Sequence, residues 1–162
     1  MFDKFGEFNG VEELNEKAAE LMVAKDYESI KELAKENGID IEDAEDYIDG
    51  VIDVLATPIT AAFGKLDIES AELQPYEIMN DWISYIRITC QENKDMAEAV
   101  RRSDKSLKGC IAELLKWSFK NAKPVDGEIL KACNINFKVT LGIPGIGTAK
   151  KIIKEYYLGG VR

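Results

Sequence analysis

Apolar residues return every three or four positions along almost the whole chain, and nearly every such run is bracketed by residues that start or stop a helix. That combination leaves little besides a packed set of helices. Asn9 and Glu12 read as a capping box ahead of a stripe of Val11, Leu14, Ala18, Leu21 and Met22. Asp26 caps a second helix through Ile30, Leu33 and Ala34, which Asn37-Gly38 stops. Asp40 opens a third that turns Ala44, Tyr47, Ile48 and Val51 inward, and Thr57-Pro58 ends it or begins a new turn. A helical run through Ile59 and Phe63 is expected to stop at Gly64, and Pro75 suits the first position of a long helix carrying Ile78, Met79, Trp82, Ile83, Ile86 and Cys90. Further helices are predicted over 96–102, from Ser106 through Phe119 to a break at Lys123-Pro124, after Asp126, and over 148–157. Only 136–141 has any strand character. The expectation is an all-α fold: one compact domain over residues 1–162, with seven to nine helices and short connections.

At 162 residues the chain is long enough to bury a core without disulfides or metals. No apolar run approaches membrane-spanning length, and the first residues lack the apolar core of a signal peptide, so a cytoplasmic protein is expected. The three cysteines, Cys90, Cys110 and Cys133, have neither zinc nor redox spacing and read as reduced, buried thiols. There is no histidine, which removes the commonest general base and the commonest nitrogen ligand for a metal. A serine or cysteine nucleophile would need an unusual activating partner. The expectation is a protein that is not an enzyme, with no catalytic residue, no cofactor and no metal site.

Charge is divided unequally along the chain. Residues 1–100 hold 8 Lys and Arg against 25 Asp and Glu, a net of −17, whereas residues 101–162 hold 13 against 5, a net of +8. An acidic portion followed by a basic one implies two surfaces of opposite sign unless the halves fold onto each other. In the densest acidic stretch, Glu42, Asp46, Asp49 and Asp53 follow spacings of 4, 3 and 4 and on a continuous helix would line one face. Such a row either imitates nucleic-acid phosphates toward a basic protein partner or is simply a solvated face. An EF-hand is excluded by the missing glycine and the missing Asp/Asn alternation.

Near the C-terminus stands Leu141-Gly142-Ile143-Pro144-Gly145-Ile146-Gly147-Thr148-Ala149-Lys150-Lys151. A Pro-Gly-apolar-Gly turn leading into a basic helix resembles the helix-hairpin-helix element of DNA-repair and replication proteins. The resemblance implies backbone N–H groups around Gly145, Gly147 and Thr148 holding a phosphate oxygen, with Lys150, Lys151 and Lys154 adding contacts to double-stranded DNA. Ala149 follows Gly147 by two positions rather than the usual four, which shortens the turn. The alternative is a tight connection that packs Ile143, Ile146, Ile152 and Ile153 into the core. A P-loop does not fit the glycine spacing. Lys105, Lys108, Lys116, Lys120 and Lys123 extend the basic surface, while Trp117 and Phe119 read as core rather than as a stacking platform.

Several segments together resemble a family of small proteins carried on mobile elements of gut Firmicutes. They are Met1-Phe2-Asp3-Lys4-Phe5-Gly6-Glu7-Phe8, Glu42-Asp43-Ala44-Glu45-Asp46-Tyr47, Leu55-Ala56-Thr57-Pro58, the run from Lys105 through Trp117 to Pro124, and Pro144 to Tyr157. That group includes anti-CRISPR inhibitors of the type II RNA-guided nuclease. The resemblance implies a type II CRISPR effector nuclease as protein partner, with DNA a further contact. It carries no residue-level mechanism, and no oligomeric state follows from it.

Overall fold

The structure is a computed structural model that describes residues 4–159. Met1, Phe2 and Asp3 of the N-terminal segment quoted above lie outside the described residues. The described chain is all-α: nine helices and one minimal antiparallel ribbon, β1 (Lys123–Pro124) with β2 (Thr140–Leu141).

Three short helices open the chain: α1 (Val11–Val23), α2 (Tyr27–Glu36) and α3 (Ile41–Ile48). Each ends in a Schellman motif, in which a residue of positive φ lets its own N–H and the next one return to the last turn. Gly38 and Gly50 take that position after α2 and α3, and Lys25, with a side chain to accommodate, takes it after α1. After α3 the N–H of Gly50 reaches Tyr47 and that of Val51 reaches Asp46 at 2.8 Å. The helix therefore stops at Ile48. Val51, expected inside, is 69% exposed instead.

The remaining helices are α4 (Pro58–Leu73), α5 (Ile78–Glu92), α6 (Lys94–Arg101), α7 (Leu107–Asn121), α8 (Gly127–Ala132) and α9 (Ile146–Leu158). The side chains of Asp26, Thr57, Asn93, Ser106 and Asp126 cap the helices that follow them, each accepting a backbone N–H. The first helix starts differently from expectation. Gly10 is its N-cap without a side-chain bond, and it is the Glu13 carboxylate that reaches back to the Asn9 N–H at 2.8 Å. Pro75 does not begin α5, which starts at Ile78 after a turn in which Glu77 has a φ of 45°.

Gly64 is not a stop. It sits inside α4 where the end of α2 crosses, and a Cβ on it would overlap the Asn37 carbonyl, as one on Gly38 would overlap the Gly64 carbonyl. Glycine is kept at both positions by the backbone-to-backbone approach.

Apolar side chains gather in two clusters. One joins Leu14, Ile30, Leu33, Ala44, Tyr47 and Leu55 from α1–α3 and the turn after them, closing on Ala61 of α4. The other joins Leu66, Trp82, Ile86, Met96, Leu107, Leu114, Ile153 and Tyr157 from α4–α7 and α9. The division falls inside α4, well before residue 100 where the charge changes sign. The acidic portion thus supplies α4, α5 and α6 to the same cluster as the basic α7 and α9, and the two portions do fold onto one another.

Candidate binding surfaces

The four carboxylates singled out above are all exposed, and none has an ion pair among the described residues. They do not form one helical row. Glu42 and Asp46 lie one turn apart on α3, Asp49 is its C-cap, and Asp53 lies beyond Gly50 in the bend that follows. The Schellman closure at Gly50 is the physical reason: positive φ turns the chain away from the helix axis before Asp53 is reached. Nearby Glu45 is neutralised by Lys31 at 2.9 Å. Carboxylates in the last turn of a helix face the negative end of its dipole, so Asp46 and Asp49 stand where the fold disfavours them.

The C-terminal turn is also rearranged. The element entering it is β2 rather than a helix, so only the turn and the second helix of a helix-hairpin-helix are present. Gly142 is packed tightly on the end of α7, where a Cβ would overlap the Ser118 carbonyl. Pro144 is buried, and Gly145 is the N-cap of α9 with no side chain covering the first-turn N–H groups. A Cβ on Gly145 or Gly147 would meet nothing, and neither has positive φ, so local packing does not explain these two glycines. Thr148 is half-buried, and Lys150, Lys151 and Lys154 are exposed on one side of α9. The Lys150 ammonium lies 4.9 Å from the centre of the Tyr85 ring, and Lys151 is 3.9 Å from Glu155.

The packing alternative for this turn holds only in part. Ile153 is fully buried and Ile152 half-buried, but Ile143 is exposed and Ile146 is 76% exposed. Phe119, expected in the core, is 84% exposed on α7. Trp117 is half-buried. Of the flanking lysines, Lys116 pairs with Glu113 at 2.6 Å and Lys105 lies over the Tyr156 ring at 5.0 Å, whereas Lys108, Lys120 and Lys123 face solvent.

Buried charges that sequence reading passed over join α4 and α6 to the elements around them. Lys65 of α4 is almost wholly buried, and its ammonium donates to the carbonyls of Arg102 at 2.6 Å and Lys105 at 2.7 Å, with Glu7 at 3.0 Å. Glu69, one turn on, accepts the Leu107 N–H at 2.8 Å and so takes up a donor at the start of α7. Burial raises the Glu69 pKa, opposed by that hydrogen bond and by Lys65. Arg101 donates to Asn37 at 2.7 Å and to the Phe8 carbonyl at 3.2 Å, tying α6 to the end of α2 and to the N-terminal segment. Burial lowers its pKa against the pull of Glu7, Glu69 and Glu13. A charged pair at helical spacing inside the apolar stripe of Ala61, Ala62 and Leu66 was the available signal for Lys65 and Glu69.

Burial pushes the thiols of Cys90 and Cys110 up to about 11 and about 12, where thiolate is negligible near neutrality. Cys133, expected to be buried, is exposed at the C-cap of α8. Among the described residues no group of three or more His, Cys, Asp or Glu is arranged to hold a metal ion. A cleft of about 640 Å³ between the start of α1, α6 and the end of α9 is bordered by Glu12, Glu13, Asp95, Glu98 and Arg102. No helix among the described residues is long and apolar enough to cross a membrane. No protein-family model, no curated protein and no solved structure matches this chain.

Proposed function

We propose that this chain is a non-catalytic inhibitor that binds the RNA-guided endonuclease of a type II CRISPR system and blocks DNA cleavage. The observation carrying the proposal is the set of exposed carboxylates Glu42, Asp46, Asp49 and Asp53, left without ion pairs on α3 and the bend after it, with Asp46 and Asp49 at the end where the helix dipole opposes them. Such nucleases hold guide and target in positively charged channels and read a short flanking motif with arginines. A compact negative surface on α3 and the bend after it suits a groove of that kind, and the family resemblance points to the same partner. The test is a cleavage assay of a purified type II nuclease with guide and target. Wild-type protein should reduce cleavage with dose, and Glu42→Lys, Asp46→Lys and Asp49→Lys together should abolish the effect while the helical circular-dichroism spectrum persists. Inhibition that survives the triple reversal excludes this surface.

A second reading has its own observation. Gly145 and Gly147 stand open beside Lys150, Lys151 and Lys154, at a helix start that no side chain caps. A non-specific double-stranded-DNA-binding accessory protein would use that turn to hold phosphate. It predicts a duplex gel shift without nuclease, weakened steeply by salt and by Lys150→Ala with Lys151→Ala. Unchanged affinity in that double variant counts against the turn.

A further inference from the structure

Two surfaces drawn from different clusters complement each other in both charge and apolar character. The first is a groove of about 360 Å³ between α5 and the start of α9. Trp82 and Ile153 line it, Ile78, Ile88 and Ile146 stand exposed around it, Lys150 is held on its α9 side by the Tyr85 ring, and the exposed Asp81 borders it on the α5 side. Beyond the groove lining, Lys154 is exposed one turn further along α9, while Lys151 is 3.9 Å from Glu155.

The second is the bend after α3. There the Schellman turn projects Val51, Val54 is also exposed, and Asp49 and Asp53 stand beside them. One surface is isoleucine with lysine along its α9 side; the other is valine framed by aspartate. The groove's volume lies in the range of sites that take small apolar groups. Burying valine side chains there releases water from both faces, while unpaired carboxylates meet exposed ammonium groups.

We propose that the occupant of the groove is a second copy of this chain, which seats its Val51–Val54 bend between α5 and α9. The bend borders the α1–α3 cluster and the groove borders the other, so the contact is heterologous. Each copy keeps one donor bend and one acceptor groove, and association proceeds head to tail into rings or open chains rather than stopping at a two-fold dimer. The contact concerns the protein alone and does not depend on the inhibitor reading.

Sedimentation velocity over a concentration series tests it, using wild type, Asp49→Lys with Asp53→Lys, and Lys150→Glu with Lys154→Glu. Wild type should exceed the 18.1 kDa monomer mass as concentration rises, and less so in high salt. Each double variant alone should remain monomeric, because its bend and groove then carry like charges. Their equimolar mixture should associate again, since both kinds of contact become complementary. The milder pair Asp49→Asn with Asp53→Asn should weaken association without reversing it, which separates loss of the contact from loss of fold. A wild-type protein monomeric at every concentration overturns the proposal. So does association that persists in either reversed variant, or a mixture that stays silent.

Discussion

The two apolar clusters achieve similar burial by different means. The α1–α3 cluster is built from short, local helices, each turned back by a positive-φ residue, and carboxylates outnumber lysines on its outer side. The α4–α9 cluster holds the larger side chains, including Trp82, Met96 and Tyr157, and its helices are placed by buried ionic contacts that run between elements. Chain reversal organises the first; long-range polar contacts organise the second. Where they meet, α4 belongs to both, and Gly64, Lys65 and Glu69 follow one another along it. The buried charges Lys65 and Glu69 at this junction have hydrogen-bond partners, and the surplus of each sign lies on the outside.

Lys65→Met should have the largest effect on this arrangement. It leaves the Arg102 and Lys105 carbonyls and the Glu69 carboxylate without their cation, at a cost of about 3–5 kcal/mol, the range for breaking a buried charged pair. Urea denaturation reads the loss. One transition moved to lower urea means that the clusters unfold together; two transitions mean that the ammonium was what coupled them.

Gly64→Ala acts on the same junction through sterics. It forces α2 and α4 apart and should cost about 1–3 kcal/mol, typical of overpacking. A neutral outcome would show that the crossing can open freely.

The pH dependence comes next. Glu69 has a raised pKa in the folded protein, so between its ordinary value and the raised one the native state binds the extra proton. Its contribution is therefore fully present below the unfolded value and lost as pH rises through the folded one. Glu69→Gln should flatten that part of the stability–pH curve, read by urea midpoints across the mildly acidic range. The same slope in wild type and variant would assign it to another group.

The smallest effect is expected in the α1–α3 cluster. Lys25 carries a side chain at a φ of 57°, and Lys25→Gly should relieve it by about 0.5–1 kcal/mol, visible as a small rise in Tm. If α1 gains nothing, the Lys25 backbone is not strained enough to matter.

The helices were legible because their start signals are local. Asp26, Thr57-Pro58, Ser106 and Asp126 are caps whose chemistry depends on the next few residues only. The glycines were read less well, since the same residue type serves opposite purposes. Gly50 ends a helix and splits the carboxylate row, whereas Gly64 continues one because another backbone touches it. Spacing alone could not distinguish the two. Exposed Phe119 and Ile146 defeated the rule that large apolar residues face inward, which is where the basic portion departs from an ordinary amphipathic pattern. Of the candidate site residues, Lys150, Lys151 and Lys154 do share one side of α9, and Glu42 and Asp46 share one side of α3. Asp49 and Asp53 were displaced by a turn whose signal, Asp49-Gly50, was present in the sequence but outweighed by the attractive charge spacing.

The contacts of Arg101 have a temporal consequence. Its guanidinium reaches the Phe8 carbonyl across a sequence separation of 93 and Asn37 across 64, whereas the α1–α3 cluster is closed within the chain as far as Ala61. Contacts between near neighbours form early, and those that close long loops wait. During synthesis the acidic cluster has every residue it needs while the arginine that will fasten it has yet to leave the ribosome. The segment whose surplus charge is negative is thus the one whose core contacts are complete in the chain before the basic helices emerge.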